Sequence, residues 1–306
     1  MDLTDALRAH AAPAPGAPDG WQARLELRYA RDGARTYPAL RRHHGPLRVQ
    51  KGLLPEGPGV WHQVVVHPPG GVVGGDRLEI AVAAAAGAQA LLATPGATKW
   101  YRSTARPAVQ RLSIRVEAGA AIEWLPCENI VFDGAQVALE ADFSVEPGGT
   151  LIATELTCLG RPACGERFAC GRFASALDVR RAGALALSER IVLDGGHRLL
   201  ESAAGLAGLP AFGLLVAVSD RVDDAALAAC REAAGQAGAA GRAQPARGAA
   251  DRARGELAFT RAGRVLLARW RGERAADGLA ALRAAWAALR PALLGRQALA
   301  PRIWST

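Results

Sequence analysis

Along the first two-thirds of the chain, apolar and polar side chains alternate with a period of two. In 22–29, Ala23, Leu25, Leu27 and Tyr29 share one face, while Arg24, Glu26 and Arg28 share the other. The segment 78–82 alternates in the same way, and 61–67, 90–93, 111–116, 137–143 and 151–156 have strand-like composition and length. Successive side chains of a strand point to opposite faces, so these segments predict β-strands. Gly87, Gly119, Gly148 and Gly183 recur at offsets of 32, 29 and 35 residues, mostly just before a fresh alternating run. Two readings fit that spacing: β-hairpins stacked along an axis, each layer burying its face on the next, or the ordinary turns of a β protein. Under both, 21–205 is an all-β body.

After Pro210 the pattern changes. A strand at 212–218 precedes a helix at 223–236, which acids open and which carries Leu227 and Cys230 on one face. A polar stretch at 238–254 leads to strands at 256–260 and 264–270 around the Ala262-Gly263 turn. A second helix at 276–290 spaces Leu279, Leu282, Trp286 and Leu289 three or four apart, and Pro291 kinks or ends it. This order predicts a small α/β layer over 206–306, packed on the body within one domain spanning 21–306. The expected fold is therefore mostly β, an elongated body of stacked β-sheets or hairpins with two α-helices in the C-terminal third. Residues 1–20 read as a flexible arm, with neither the basic start nor the apolar stretch of a signal peptide.

Composition narrows the class of function. Half the residues are hydrophobic and about one-fifth are charged, the balance of a folded chain. The net charge of +8 rests on arginine, since Lys51 and Lys99 are the two lysines. Scattered arginines in an Ala/Gly-rich chain suggest biased composition more than a nucleic-acid surface. The modest concentration at Arg242, Arg247, Arg252 and Arg254 reads as a solvated loop, or more sharply as a dock for an acidic protein. Five cysteines form no Cys-x-x-Cys knuckle, and the six-residue spacing of Cys158, Cys164 and Cys170 assigns them no role. Their odd number favours a reducing, cytoplasmic setting. No apolar run reaches membrane-spanning length.

Candidate chemistry concentrates in 67–103. Gly70-Gly71 and Gly74-Gly75-Asp76 bound a strand on one side, and Thr94-Pro95-Gly96-Ala97-Thr98 bounds it on the other. A phosphate loop would need Gly-x-x-x-x-Gly-Lys-[Ser/Thr] opening a helix. No Lys-Ser or Lys-Thr occurs, and strand follows Gly75, so that reading fails. No Gly-x-Ser-x-Gly elbow is present, and His62 and His67, five apart on a predicted strand, face opposite ways. Oxygen ligands are richer: Asp76, Glu128, Asn129, Asp133, Glu155, Glu166 and Glu189. Carboxylates and carbonyls can carry a divalent ion weakly, whereas Asp and Asn in turns often only satisfy backbone donors. Glu155 and Glu189, inside runs that read as half-buried, should line water or meet an arginine. Trp100 should be buried, and Lys99 or Arg102 paired with an acid.

HPPGGVVGGDRL at His67, ATPGATKWYRS at Ala93 and LPCENIVFDGA at Leu125 resemble, in that order, the urease accessory protein D family (UreD, also called UreH). The resemblance extends from GPLRVQKGLLPEG at Gly45 to PRIWST at Pro301. The chain departs from the family pattern at Cys127, where Gln is usual, and at Cys164, where Ser is more frequent. Both departures argue against an essential thiol. The resemblance implies a non-enzymatic, cytoplasmic scaffold for urease maturation with no permanently bound cofactor. It would bind urease apoprotein and UreF, reach the GTPase UreG through UreF, and pass nickel along an internal polar passage to the urease active site. On that reading Asp76, Thr94, Glu128, Glu155 and Glu189 line the passage, and Gly70, Gly71, Gly74, Gly75, Asn129, Asp133 and Gly134 are turn residues of the family motifs. Two rivals remain: a small-molecule enzyme using Asp76 and Glu128 with Lys99, and a β module that binds an acidic protein.

Overall fold

A computed structural model of the chain describes residues 20–103, 106–242 and 255–305. The expected N-terminal arm, apart from Gly20, and Arg247, Arg252 and Arg254 of the basic stretch lie outside the described residues. The chain forms β1 (Gln22–Asp32), β2 (Arg35–His44), β3 (Arg48–Val49), β4 (Trp61–Val66), β5 (Arg77–Ala84), β6 (Gln89–Ala93) and β7 (Thr98–Trp100). There follow β8 (Ala108–Val116), β9 (Ala121–Leu125), β10 (Asn129–Val131), β11 (Gln136–Val145), β12 (Thr150–Leu159), β13 (Arg172–Arg181) and β14 (Ala184–Asp194). The last third holds α1 (Arg198–Glu201), β15 (Ala211–Val218), α2 (Asp224–Arg242), β16 (Glu256–Ala262), β17 (Val265–Gly272) and α3 (Ala275–Leu294). The fold is mostly β, with its two long helices in the C-terminal third, as expected.

Two sheets stack face to face. The front sheet has the order β14-β13-β11-β8-β5-β1-β2, and the back sheet runs β16-β17-β15-β12-β9-β6-β4-β3, with β7 and β10 attached beside β12. From β5 to β13 the chain winds alternately between them. β5, β8 and β11 lie in front, and β6, β9 and β12 lie behind, each set pairing in parallel. Parallel strands need a crossover, and here the opposite sheet supplies it. Gly87, Gly119 and Gly148 make the three equivalent front-to-back turns, all with positive φ. The turns themselves stack, the Gly119 N–H donating to the Gly148 carbonyl at 3.1 Å. Three of the four spaced glycines thus mark layers of a parallel coil. Gly183 instead turns the antiparallel β13–β14 hairpin.

The two sheets bury different numbers of faces, and their sequences show it. The front sheet packs Leu25, Leu27, Ile80, Ile114 and Phe143 inward and leaves Arg24, Arg28, Glu79 and Arg111 exposed. The back sheet is covered twice: Ile122, Leu151 and Val216 face the front sheet, and Leu91, Ile152, Leu215 and Leu266 face α2 and α3. Its strands therefore read as apolar runs, the front ones as alternation. β15 pairs with β12, so the C-terminal α/β segment prolongs the back sheet. Two helix boundaries differ from expectation. α2 continues past 236 to Arg242 on an Ala-rich stretch, since alanine offsets the interspersed glycines. Pro291 does not end α3, which closes one turn later at Gly295, whose N–H bonds the Pro291 carbonyl at 3.0 Å.

A buried charge cluster fastens α3 to the back sheet. Arg290 is fully buried and holds Glu123 of β9 through Nε at 2.9 Å and Nη2 at 3.0 Å. It also holds Glu56, in the loop before β4, through Nη1 at 2.8 Å and Nη2 at 2.7 Å, and donates to the Gln297 carbonyl at 2.7 Å. Trp286 Nε1 donates to Glu123 at 2.5 Å, and His62 Nε2 lies 2.6 Å from Glu56. Burial alone would raise the Glu56 carboxyl, but hydrogen bonds from His62 and Arg290 outweigh it and hold it at about 2. Two outcomes follow. Arg290→Met strands two carboxylates in an apolar site and is expected to cost about 3–5 kcal/mol in a urea titration. Glu56 contributes stability above its unfolded value near 4.5, and loses it as pH falls towards about 2. Stability measured across that window should therefore fall less steeply in Glu56→Gln than in the natural chain.

Candidate functional site

Away from the glycine turns, the space between the sheets opens into a cavity of about 820 Å³. Parallel register builds its front wall in rows. Ile80, Leu112, Ala141, Leu177 and Glu189 align across β5, β8, β11, β13 and β14. Leu78, Gln110, Leu139, Ser175 and Ile191 form the neighbouring row on the same strands. At about 4.8 Å per strand, each row spans roughly 19 Å. On the back wall, Glu155, Leu214 and Arg269 align across β12, β15 and β17. The lining begins at exposed Pro95, Gly96 and Lys99, passes buried Leu139, Phe143 and Val216, and ends at exposed Ile191, Leu199 and Arg269.

Two carboxylates sit on opposite walls of this space. Glu155 reaches across to the front sheet, where Ser175 Oγ donates to it at 3.0 Å. Enclosure pushes the Glu155 carboxyl above the ordinary carboxylate value, and the Ser175 hydrogen bond opposes that rise. Glu189, at the β14 edge, meets Arg269 of the back sheet at 2.5 Å. Glu189 thus meets the arginine expected of an inward acid, whereas Glu155 meets a serine. At the other end Thr94 Oγ1 accepts the Cys127 N–H at 2.9 Å and donates to the Gly96 carbonyl at 3.2 Å. Cys127 lines the cavity beside it, and burial pushes its thiol up, which keeps it protonated. His67 lines the cavity too, and His62 faces the α3 cluster, so the two lie on opposite sides of β4.

The remaining motif residues are spread around this core. Asp76 is buried outside the lining, its Oδ1 accepting the Trp21 N–H at 2.8 Å and its Oδ2 the Val73 N–H at 3.0 Å. Glu128 also lies outside the lining, close enough to Cys127, Cys158 and Arg283 to influence all three electrostatically. Lys99 stands at the exposed lip, so the lining holds it without Asp76 or Glu128. Asn129 lines the cavity and accepts the Trp100 indole N–H at 3.0 Å. Trp100 is fully buried, and Arg102 pairs with Asp133 at 3.2 Å. Asp133 Oδ1 also accepts the N–H groups of Ala169 and Cys170, both at 2.8 Å, while Gly134 turns with positive φ.

Gly70 and Gly71 line the cavity, and Gly75 turns with positive φ. At Gly74 a Cβ would fall 1.8 Å from Ser103 Oγ, which leaves no room for any other residue without a shift of that loop. Among the described residues, no group of three or more His, Cys, Asp or Glu is placed to hold a metal ion. Sequence reasoning missed Ser175 and Arg269. Ser175 had no signal, because its partner lies on the opposite sheet. Arg269 carried one, a charge interrupting the apolar run of β17.

Comparison with known proteins fits this chain along almost its whole length. The sequence profile of one family, UreD urease accessory protein, matches residues 22–305. Urease accessory protein UreD of Pseudomonas aeruginosa is 49% identical over 286 residues, covering 94% of this chain and 95% of its own. That of Azoarcus sp. (strain BH72) is 45% identical over 306 residues, covering 100% of both. That of Nitrosococcus oceani is 45% identical over 302 residues, covering 97% of this chain and 96% of its own. With such coverage and nearly half the positions identical, the chain belongs to the UreD urease accessory protein family.

Proposed function

We propose that this protein is a urease maturation scaffold that conveys nickel through the space between its sheets. The carrying observation is the cavity whose lining reaches the surface at the Lys99 lip and again at the Glu189–Arg269 edge. An ion moving through apolar walls travels with water and pauses at oxygen atoms. Thr94 and Asn129 stand near one end, Glu155 with Ser175 faces the middle, and Glu189 stands at the other end. Each holds an ion weakly: the Glu155 carboxyl resists ionisation and Glu189 is shared with Arg269. Weak, spaced sites suit a cargo that must be released. Asp76 and Glu128, outside the lining, serve the loops around it on this reading.

The partners in this proposal are urease apoprotein, to which nickel is delivered, and UreF, which brings the GTPase UreG. The protein contributes geometry and no bond-making step of its own. Five free thiols suit a reducing cytoplasm, and no helix is long and apolar enough to cross a membrane. Exposed Trp21, Val73, Leu185 and Leu199 offer apolar surface for a partner to cover.

Two outcomes test the proposal. In cells that make the urease subunits with UreF and UreG, Glu155→Leu and Glu189→Leu should leave the UreF complex assembled while lowering the nickel content and activity of urease. Asp76→Leu should instead destabilise the chain by about 1–3 kcal/mol, because it removes the acceptor of two backbone donors. Normal nickel loading with both glutamate variants, their expression verified, would remove the passage role. The second outcome is partner dependence: produced alone the protein should be poorly soluble, and co-expression with UreF should raise its soluble yield. A monodisperse isolated chain that UreF leaves unchanged would count against a scaffold.

A further inference from the structure

We propose that the same cavity binds a single-chain aliphatic molecule with one uncharged, hydroxyl-bearing head group. This inference concerns a second ligand and does not depend on nickel passage. At about 820 Å³ the cavity falls within the usual size of small-molecule sites. Its front wall follows rows of side chains across five adjacent strands, and each row spans roughly 19 Å. Its walls are apolar on both sides: Leu112, Leu139, Phe143 and Leu177 in front, Trp124 and Val216 behind. An alkyl chain that displaces water from such walls gains the burial of apolar surface. An extended alkyl chain can lie along these rows.

The head group follows from the polar atoms deep in the site. Glu155 and Ser175 meet across the two sheets at 3.0 Å, and the serine engages one carboxyl oxygen, Oε1. A hydroxyl can exchange a hydrogen bond with the other oxygen whichever protonation state the acid holds. An anionic head has no such place beside the Glu155 carboxyl. The arginines of the lining are already committed: Arg269 to Glu189 at 2.5 Å, Arg190 to Asp178 at 2.8 Å and Arg271 to Glu256 at 2.9 Å. Glu140 is likewise held by Arg111 at 2.8 Å. Lys99, the remaining cation of the lining, stands at the exposed lip, so an anionic head beside Glu155 meets no released cation and its desolvation goes uncompensated.

The experiment uses the full chain, in complex with UreF where that is needed for solubility and with UreF alone as the control. N-phenyl-1-naphthylamine serves as the fluorescent probe, and dodecan-1-ol and dodecanoate at pH 8 serve as competitors. Saturable binding of one probe per chain is expected, with displacement by dodecan-1-ol at concentrations about tenfold or more below those needed for dodecanoate. Ala153→Phe and Val216→Phe fill the cavity from the back wall and should each weaken probe binding by about tenfold or more, with circular dichroism and thermal midpoint checked for each. Two plugs are used so that one misfolded variant does not decide the result. Absence of saturable binding, binding untouched by a folded plug variant, or equal displacement by dodecanoate would overturn the proposal.

Discussion

The stacking of turns at Gly87, Gly119 and Gly148 is the constraint from which the rest of the molecule follows. Each glycine takes a positive φ, and Ala121 and Thr150 continue the ladder by donating to Ala88 and Ala120, both at 2.9 Å. Successive coils are thereby locked one above another without slippage, and slippage by one residue would turn every inward side chain outward. Locked register is what aligns Ile80, Leu112 and Ala141 into a continuous wall. At the opposite end the chain returns through longer loops that carry β7 and β10, and there the sheets enclose space instead of closing on each other. The cavity is thus a consequence of unequal connections at the two ends of one coil.

The back sheet can serve as a firm wall because its outer face is covered. Arg290, Glu56, Glu123, His62 and Trp286 make a satisfied polar cluster inside the second apolar layer. Such a cluster contributes little net stability over apolar packing, but losing one member is costly, so it fixes where α3 lies. Among the described residues the front sheet has no such cover, and its outward charges pair along the surface, Arg111 with Glu140 and Arg190 with Asp178. Among the described residues, one wall is braced by a covering layer and the other is not.

The sequence disclosed local structure better than it disclosed meetings between distant segments. Alternation identified β1 and β5 because one face of the front sheet is wet, and apolar runs identified β12 and β15 because both faces of the back sheet are dry. β2 escaped notice, since an edge strand with Pro38 and a largely exposed run of side chains carries no clear period. Of the acids proposed for the passage, Glu155 and Glu189 stood out as charges within strand-like runs, and the lining includes both. Asp76 and Glu128 drew the same interest from their motifs, yet Asp76 accepts backbone donors in a turn, a use that composition cannot distinguish from ligation. Glu123 also interrupts an apolar strand, but its partner lies 167 residues away on α3, beyond any local pattern.

On the proposed function, walls that are mostly apolar, with oxygen atoms set far apart, make a poor resting place for an ion and a workable path for one. On the same proposal, the passage can be closed at the middle of the front wall, where the small Ala141 lies between Leu112 and Leu177 in the row that ends at Glu189. Enlarging that one side chain changes the passage and leaves the outer surfaces as they are. The most direct measurement is therefore the nickel content of urease activated in a reconstituted mixture of apoprotein, UreF, UreG and either the natural chain or Ala141→Trp. The account requires that the Ala141→Trp chain assemble with its partners while urease nickel drops to the level reached without this protein. Full nickel loading by an assembled Ala141→Trp complex would contradict it.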